Sequence, residues 1–351
     1  MTNYLRGDFM IRISFALSCL SLVALAGCHT VSAADTAPML GPRFHLEKRI
    51  PGPDGGWDFA TFDAAHGRVY IARANGVTAL DVATGTLTPQ LVAGSRTHIA
   101  LPINNGSEIL VTNGADGTAF IANALTGGVR VPAIPTGSKP DSALLEPTTG
   151  LVWVMDNHGG GITMIDPHAG AVVGTIALPG ALESPVSDGM GKVFVTVEDL
   201  GEIAVLDAKT RSVAAHWRLA GCEEPTGLAL DPGSRRLVAE CANGTAKIVS
   251  IDSGETVTGV PIGLRPDALT YDARRRLMYA PTGGDGMMSV IDPVRARIVA
   301  IVATQTGCRG ATLDPRSGKL YLPAGRFAPP ATEGARPTLM PGSFEVLVLH
   351  P

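Results

Sequence analysis

Apolar and polar positions alternate in short stretches along most of this chain, and pairs of such stretches recur at a nearly constant interval. The first clear pair covers residues 67–73 and 76–81. Matching pairs follow at 109–113 and 120–123, 151–156 and 163–166, 192–196 and 204–207, 236–240 and 249–252, 277–280 and 289–292, and 319–323 and 344–350. Short alternating stretches bounded by turn residues are typical of β-strands, so each unit is predicted to be a small antiparallel sheet.

An acidic or amide residue marks the end of the second stretch in most units. These residues are Asp81, Asn123, Asp166, Asp207, Asp252 and Asp292, which gives spacings of 42, 43, 41, 45 and 40 residues. His350 takes the same place in the last unit. A side-chain oxygen at a strand end can cap the turn that follows. We therefore assign these positions a structural role and exclude them from the candidate site.

A repeat of this length predicts an all-β fold, a seven-bladed β-propeller. A lone four-stranded sheet would expose two apolar faces, and packing the blades around one axis buries both. The last unit is one strand short, and residues 44–50 precede the first full unit and can supply that strand. We therefore expect residues 44–351 to form one propeller, closed by pairing of its N- and C-terminal strands.

Composition supports a chain of many short strands. Of 351 residues, 45% are hydrophobic and 17% charged, and 42 glycines and 26 prolines are available for turns. The formal net charge is −4, so the chain offers no extended basic surface to a phosphate backbone. We therefore expect no general nucleic-acid binding.

The N-terminal residues predict export to the periplasm. Residues 13–25 form an apolar stretch that is short for a membrane-spanning helix. The stretch ends in Leu-Ala-Gly-Cys28, which resembles the lipobox of bacterial lipoproteins, where the cysteine is lipidated. Cleavage near residues 33–34 is the alternative. The sequence thus predicts a signal peptide over 1–28 and a tether over 29–43. The mature protein would contact a membrane, the outer one, only through a lipid on Cys28.

Several repeat segments resemble a known family. The segments Tyr-Ile-Ala-Arg at 70–73, Leu-Val-Thr-Asn at 110–113 and Val-Ile-Asp-Pro at 290–293 resemble the repeats of the YVTN β-propeller family. The resemblance extends to its YncE-like bacterial branch at residues 222–232, 320–323 and 340–349. It implies an exported propeller, and it carries no catalytic motif to transfer to this chain.

The loops that enter the inner strands of a propeller meet at one face, around the mouth of the central channel. The residues at these entries are Asp58, His98, Asp141, Glu183, Thr226, Asp267 and Arg309, with Glu223, Glu224, Arg96, Lys139 and Arg265 beside them. Convergent charges in a partly desolvated mouth suit a polar small molecule or a divalent ion. We take this face as the candidate ligand-binding face.

These charges have a second interpretation, in which they pair with one another and bind nothing. The expected pairs are Asp141 with Lys139, Asp267 with Arg265, and Glu223 and Glu224 with Arg309. Carboxylates at unrelated spacing do not form a metal motif, so we predict no cofactor. A divalent metal such as calcium, held by Asp141, Glu183 and Asp267, stays an alternative.

One loop is far longer than its counterparts. Residues 325–343 join two strands of the last unit, and long loops in compact folds are often functional. Arg326, Phe327 and Arg336 could cover part of the channel. The alternative is that the loop shields the closing blade.

Cys222, Cys241 and Cys308 lie beyond the signal region. A turn near Gly233 folds the strand that bears Cys241 back beside residues 225–226, next to Cys222. We therefore expect a disulfide between Cys222 and Cys241, which an oxidising periplasm permits. We interpret Cys308 as a small channel-side residue and not as a nucleophile.

The leading hypothesis is a non-enzymatic binding or scaffolding propeller of the cell envelope. Its partner would be an unknown envelope protein or a polar small molecule, bound at the channel mouth. One alternative is a metal-dependent hydrolase of the lactonase type, in which ring carboxylates hold a metal that activates water. Another is an accessory subunit that docks a redox partner. The sequence predicts no catalytic residue.

Overall fold

The computed structural model describes residues 41–329 and 337–351. The expected signal peptide with Cys28, most of the expected tether, and Arg336 lie outside these residues. Within the described part of the chain, no helix is long and apolar enough to cross a membrane.

The described residues form thirty short strands, in chain order. Strand β1 (His45–Pro51) comes first. Blade 1 holds β2 (Trp57–Asp63), β3 (Arg68–Arg73), β4 (Gly76–Asp81) and β5 (Leu87–Ala93). Blade 2 holds β6 (Thr97–Ile103), β7 (Glu108–Asn113), β8 (Thr118–Asn123) and β9 (Val129–Pro135). Blade 3 holds β10 (Pro140–Glu146), β11 (Leu151–Asp156), β12 (Gly161–Asp166) and β13 (Ala171–Ala177).

The remaining blades follow the same plan. Blade 4 holds β14 (Leu182–Ser187), β15 (Lys192–Val197), β16 (Glu202–Asp207) and β17 (Ser212–Arg218). Blade 5 holds β18 (Pro225–Asp231), β19 (Arg236–Cys241), β20 (Thr245–Ser250) and β21 (Thr256–Pro261). Blade 6 holds β22 (Thr270–Asp272), β23 (Leu277–Thr282), β24 (Met287–Asp292) and β25 (Arg297–Ala303). Blade 7 holds β26 (Thr312–Leu313), β27 (Leu320–Ala324) and β30 (Glu345–His350), and β28 (Phe327–Ala328) pairs with β29 (Thr338–Leu339) in its long loop.

The N-terminal strand closes the ring, as the sequence predicts. The sheet order in blade 7 is β26, β27, β30, β1, and β1 runs antiparallel to β30 with His45 opposite His350. The strand begins one residue later than predicted. Phe44 instead packs edge-on against Tyr279 of blade 6, with ring centroids 5.2 Å apart.

The core consists of seven apolar clusters in the described residues, one at each contact between adjacent blades. Alternation along the strands builds these clusters. On β3, Val69 and Ile71 pack against blade 7, while Tyr70 packs against blade 2. Each fully buried side chain of this size contributes about 1.5–3 kcal/mol relative to exposure. Both faces of every blade are therefore committed to packing, which leaves the loops at the two ends of the ring for function.

The recurring polar residues at the strand ends are structural, as predicted. The Oδ1 atom of Asp81 accepts the backbone N–H of Ala83 at 3.0 Å and of Thr84 at 2.9 Å. Asn123, Asp166, Asp207 and Asp292 accept backbone N–H groups in the same way. Asp252 instead pairs with Arg235, with 2.6 Å between carboxylate and guanidinium. All of these residues lie on the face opposite the channel-mouth residues.

Candidate functional site

Strand register gives the seven channel-mouth residues the same place in every blade. The first residue of each inner strand pairs with the last residue of the second strand, as in Trp57 with Arg73, Thr97 with Asn113, Pro140 with Asp156, Leu182 with Val197, and Pro225 with Cys241. The next residue then faces the channel. In blades 6 and 7 the inner strands are short, and the equivalent residues precede them. The bridge between Pro266 and Thr282 identifies Asp267 as the equivalent residue of blade 6. The register of β26 against β27 identifies Arg309 as that of blade 7. We call these seven residues the channel ring.

His98 lies between two carboxylates of the channel ring. Its Nδ1 atom is 2.6 Å from Oδ2 of Asp58 and 2.9 Å from Oδ1 of Asp141. Burial alone would lower the pKa of His98, but the hydrogen bonds to Asp141 and Asp58 outweigh it and raise the pKa to about 9. Burial likewise opposes ionisation of Asp141, and His98 and Lys139 still hold its pKa below the ordinary value. The three groups therefore form a charged, mutually stabilised cluster.

Polar contacts continue from this cluster toward blade 4. Lys139 Nζ is 3.2 Å from Oδ2 of Asp141 and donates to Oδ1 of Asn157 at 2.8 Å. The amide of Asn157 in turn donates to Oε1 of Glu183 at 2.9 Å. The pairing of Asp141 with Lys139 was predicted, whereas Asn157 was missed because it follows the second strand and not the first.

Contacts also continue in the other direction, toward blade 6. Arg309 Nη2 lies 3.7 Å from Oδ1 of Asp58, and Arg309 Nε lies 3.2 Å from Oδ2 of Asp267. Arg309 also donates to the carbonyl of Trp57 at 3.0 Å. A single guanidinium thus joins blades 1, 6 and 7.

Two of the expected pairings are wrong. Asp267 pairs with Arg309 and not with Arg265, and Arg309 pairs with Asp58 and Asp267 and not with Glu223 or Glu224. The reason is geometric. Residues at the same place in neighbouring blades lie side by side around the channel. Arg265, Glu223 and Glu224 precede the channel ring and lie exposed.

The pKa values of the carboxyl groups at the two ends of this chain of contacts are raised. Burial, followed by the charges of Asp141 and Glu198, raises the pKa of Glu183 far above its ordinary value. Asp267 keeps 28% of its side chain accessible. Even so, desolvation by the channel walls exceeds the opposing effect of Arg309, and the pKa of Asp267 is raised. Burial also raises the pKa of Glu198, and the charge of Glu224 adds to it.

Blade 5 interrupts the chain of contacts. Its channel-ring residue, Thr226, has a buried hydroxyl without a hydrogen-bond partner in the described part of the chain. Glu240, on β19, is fully buried, and both of its carboxyl oxygens also lack a partner among the described residues. Burial raises the pKa of Glu240 well above its ordinary value, and the charge of Asp267 adds to this shift. Glu240 was not among the site residues predicted from the sequence, although an acidic residue between the apolar residues of a second strand was a usable signal.

The predicted disulfide joins Cys222 to Cys241, with their Cα atoms 5.3 Å apart. It holds the loop before blade 5 against the end of β19, where Ala242 donates its N–H to the carbonyl of Glu223 at 2.8 Å. Glu223 and Glu224 thus sit on the exposed rim above the channel-ring residue of blade 5.

Cys308 lies elsewhere than expected. It is fully buried in the apolar cluster between blades 6 and 7, and its thiol contacts the carbonyl of Pro323 at 3.5 Å. Burial raises the pKa of this thiol to about 12. Cys308 is therefore a packing residue with an unreactive thiol, and it does not face the channel.

The two ends of the long loop pack over the closing blade. The ring of Phe327 lies 5.9 Å from that of Trp57, which also contacts Phe344 at 5.2 Å. The carboxylate of Asp54 accepts the backbone N–H of Ser343 and of Phe344, each at 3.2 Å. These contacts favour the shielding interpretation for the described ends of the loop, while Arg326 is exposed and Arg336 lies outside the described residues.

One cluster has the spacing of metal ligands in the described residues. Ligand atoms of Asp58, His98 and Asp141 all lie within 4.8 Å of one another. This set shares only Asp141 with the metal candidates predicted from the sequence, which also included Glu183 and Asp267.

Fold and site together define a class, a seven-bladed β-propeller with a polar ring at one end of its channel. No family model matches the chain, and no curated protein matches it. Among solved structures, a chain of hydrazine synthase from Kuenenia stuttgartiensis is similar, with a TM-score of 0.66 and 15% identity, covering 85% of this chain and 97% of that chain. At such low identity the likeness shows the fold alone, and that fold is a β-propeller.

Proposed function

We propose that this protein is a non-enzymatic binding propeller that holds a polar ligand or partner at its channel mouth. The observation that carries the proposal is the channel ring, which brings charged and polar side chains from all seven blades to one opening. Polar groups that converge in a concave, partly desolvated place, with perturbed pKa values, are typical of ligand sites.

Mutual pairing accounts for only one side of the ring. The charges of His98, Asp58, Asp141 and Lys139 compensate one another, although the buried Nε2 atom of His98 has no hydrogen-bond partner in the described part of the chain. Pairing leaves Thr226 and the nearby Glu240 without partners in the described part of the chain. Buried polar groups are nearly always hydrogen-bonded, so this side is better explained by a binding role.

A metal-dependent hydrolase is the second candidate, supported by the spacing of Asp58, His98 and Asp141. Two observations weigh against it. His98 Nδ1 lies at hydrogen-bond distance from both carboxylates, so the charges of these three groups are already balanced by one another. Lys139 and Arg309 also add positive charge beside the two carboxylates. The binding role therefore ranks first.

Ligand capture tests the binding role. The purified protein is incubated with an envelope extract and washed, and the retained small molecules and proteins are identified by mass spectrometry. We expect at least one component that is retained by the wild type and lost from the double variant Glu183→Ala, Arg309→Ala. An Asp166→Ala variant, altered on the opposite face, serves as control. Equal retention by all three proteins, or by none, contradicts the proposal.

We also propose export to the periplasm and membership of the YVTN family, in its YncE-like branch. The apolar stretch before Cys28, the repeat segments and the disulfide support this proposal. The intact mass of the mature protein tests the export route. A lipidated N-terminus at Cys28 supports the outer-membrane lipoprotein, an unmodified start near residue 34 supports the soluble form, and an uncleaved chain contradicts both. Docking of a redox partner gains no support, because the likeness to hydrazine synthase shows only the fold.

A further inference from the structure

The contacts of the channel ring form an open horseshoe. From Glu183 in blade 4 they run through blades 3, 2, 1 and 7 to Asp267 in blade 6. The gap falls at blade 5, between these two carboxyl groups. We call this gap the open side of the ring.

Glu240 is directed toward the open side. At the equivalent place on β7 and β15, Thr112 and Thr196 donate their hydroxyls to the carbonyl oxygens of the next blade's channel-ring residues, at 3.1 and 2.8 Å. Glu240 occupies the equivalent position on β19, so its carboxyl group lies near Asp267, the channel-ring residue of blade 6.

Gly227 makes room for this carboxyl group. A Cβ atom at Gly227 would collide with Oε2 of Glu240 and would lie 2.7 Å from the backbone nitrogen of Leu269. The carboxyl group therefore sits between the inner strands of blades 5 and 6. It is fully buried and lacks a hydrogen-bond partner in the described part of the chain.

The open side carries an excess of acidic groups. Glu183, Glu198, Glu240 and Asp267 border it, and Glu224 lies close enough to affect Glu198. The basic side chains of the horseshoe, His98, Lys139 and Arg309, are already engaged with Asp58, Asp141, Asn157 or Asp267. A bound cation would supply the missing charge and the missing hydrogen-bond donors.

We infer that the open side of the ring binds an organic cation with several N–H donors, such as a diamine or a guanidinium compound. The cation would contact Glu183, Glu198 and Asp267 in the channel, while Glu240 lies behind them between the inner strands of blades 5 and 6, where the nearby cation would favour loss of its proton. This inference rests on the proposed binding function and names the chemical class of its ligand.

Size favours an organic cation over a metal ion. Calcium and magnesium hold their oxygen ligands at about 2.0–2.6 Å, so ligand atoms on opposite sides of one ion are about 5 Å apart or less. Among the described residues, only Asp58, His98 and Asp141 bring three such atoms within 4.8 Å of one another. No three carboxyl groups of the open side come that close together in the described residues. A cation with several N–H groups can bridge them through hydrogen bonds of about 2.8 Å each.

Titration calorimetry of the purified protein with putrescine and with agmatine tests the inference. We expect binding with a dissociation constant below about 1 mM, accompanied by proton release, seen as a binding enthalpy that differs between phosphate and Tris buffers at one pH. Asp267→Asn is expected to weaken binding about tenfold or more, the scale of one lost charged hydrogen bond, and Glu240→Gln and Thr226→Val are each expected to weaken it severalfold. Glu108→Gln, on the opposite face, is the matched control.

The outcomes separate this inference from the proposed function. Binding of an anionic or neutral compound at the mouth, without amine binding, overturns the inference and leaves the binding function intact. Binding of calcium or manganese in place of the amines also overturns it. If Glu108→Gln weakens amine binding as much as the variants of the open side do, the proposed location of the amine site is wrong. If no compound of any charge binds and the extract yields no ligand, both proposals are wrong.

Discussion

The two sides of the channel ring use the same kinds of residues with opposite results. Around His98, each ionisable group has a partner of opposite charge, and pKa values move so that the charged forms persist. Around Glu240, acidic groups face other acidic groups, and pKa values move so that the charge is lost. The first arrangement stabilises the fold, while the second lowers its stability at neutral pH.

The direction of a pKa shift therefore separates structural polar groups from candidate binding groups in this ring. Where neighbouring groups favour the charged form, the protein already supplies the opposite charge and the hydrogen bonds that stabilise it. Where neighbouring groups disfavour the charged form, ionisation of the group lowers the stability of the fold unless a bound ligand supplies an opposite charge. This contrast can be tested by changing one group on each side.

The largest effect is expected on the paired side. Asp141→Ala removes one of the two carboxylates beside His98 and the carboxylate paired with Lys139, so that buried positive charge is left only partly compensated. We expect the free energy of unfolding to fall by about 3–5 kcal/mol, measured by urea denaturation. Asp166→Ala, which removes a turn cap on the opposite face, should cost only about 1 kcal/mol. A similar loss for both variants would contradict the special role of the paired side.

The pH dependence of stability should show the same pairing. The folded pKa of His98, about 9, lies above its ordinary value. The contribution of His98 to the free energy of unfolding is therefore fully present below about pH 6.5 and is lost as the pH rises through about 9. The total loss is on the order of 3 kcal/mol. Thermal unfolding measured between these pH values should show this loss in the wild type. The His98→Asn variant should show a much smaller slope, and parallel curves for the two proteins would argue against the pairing.

A smaller effect of opposite sign is expected on the open side. Because burial raises the pKa of Glu240 well above its ordinary value, the fold favours the protonated carboxyl group, and stability declines as the pH rises above the ordinary pKa of glutamate. Glu240→Gln keeps the shape of the side chain and removes the ionisable group. We therefore expect the free energy of unfolding, measured by urea denaturation at pH 7.5, to rise by about 2 kcal/mol. The pKa of Glu108 is lowered by Arg130, so Glu108→Gln should bring no gain. A destabilised Glu240→Gln variant would show that the carboxyl is held by contacts of its own.

Sequence periodicity was sufficient for the fold and for the positions of the channel ring. The repeat locates the second and third strands of most blades to within about two residues, although in blade 5 the predicted stretch 249–252 overlaps only the end of β20. The β-sheet register then fixes which residue enters the channel. The seven predicted channel-ring residues all occupy the expected place because this depends only on local pairing.

Partner choice within the ring could not be read from the sequence. Asp267 meets Arg309 and not Arg265 because the channel-ring residues of adjacent blades lie side by side, and this placement depends on how the blades pack against one another. Asn157 and Glu240 lie on or after second strands, so a search limited to inner strands misses them. Glu240 could have been found by asking why one apolar strand, β19, contains an acid.

The position of β30 in blade 7 has a consequence for how the molecule folds. This strand, residues Glu345–His350, lies between β27 and β1, so blade 7 has no completed sheet until both distant ends of the chain are present. Contacts over such a sequence separation form late, because the loop that they close is long and its entropy must be lost first. Six blades can therefore assemble from consecutive strands while the ring stays open. Joining β1 to β30 would be the slow final step, and until then the apolar sides of blades 1 and 6 remain exposed to aggregation.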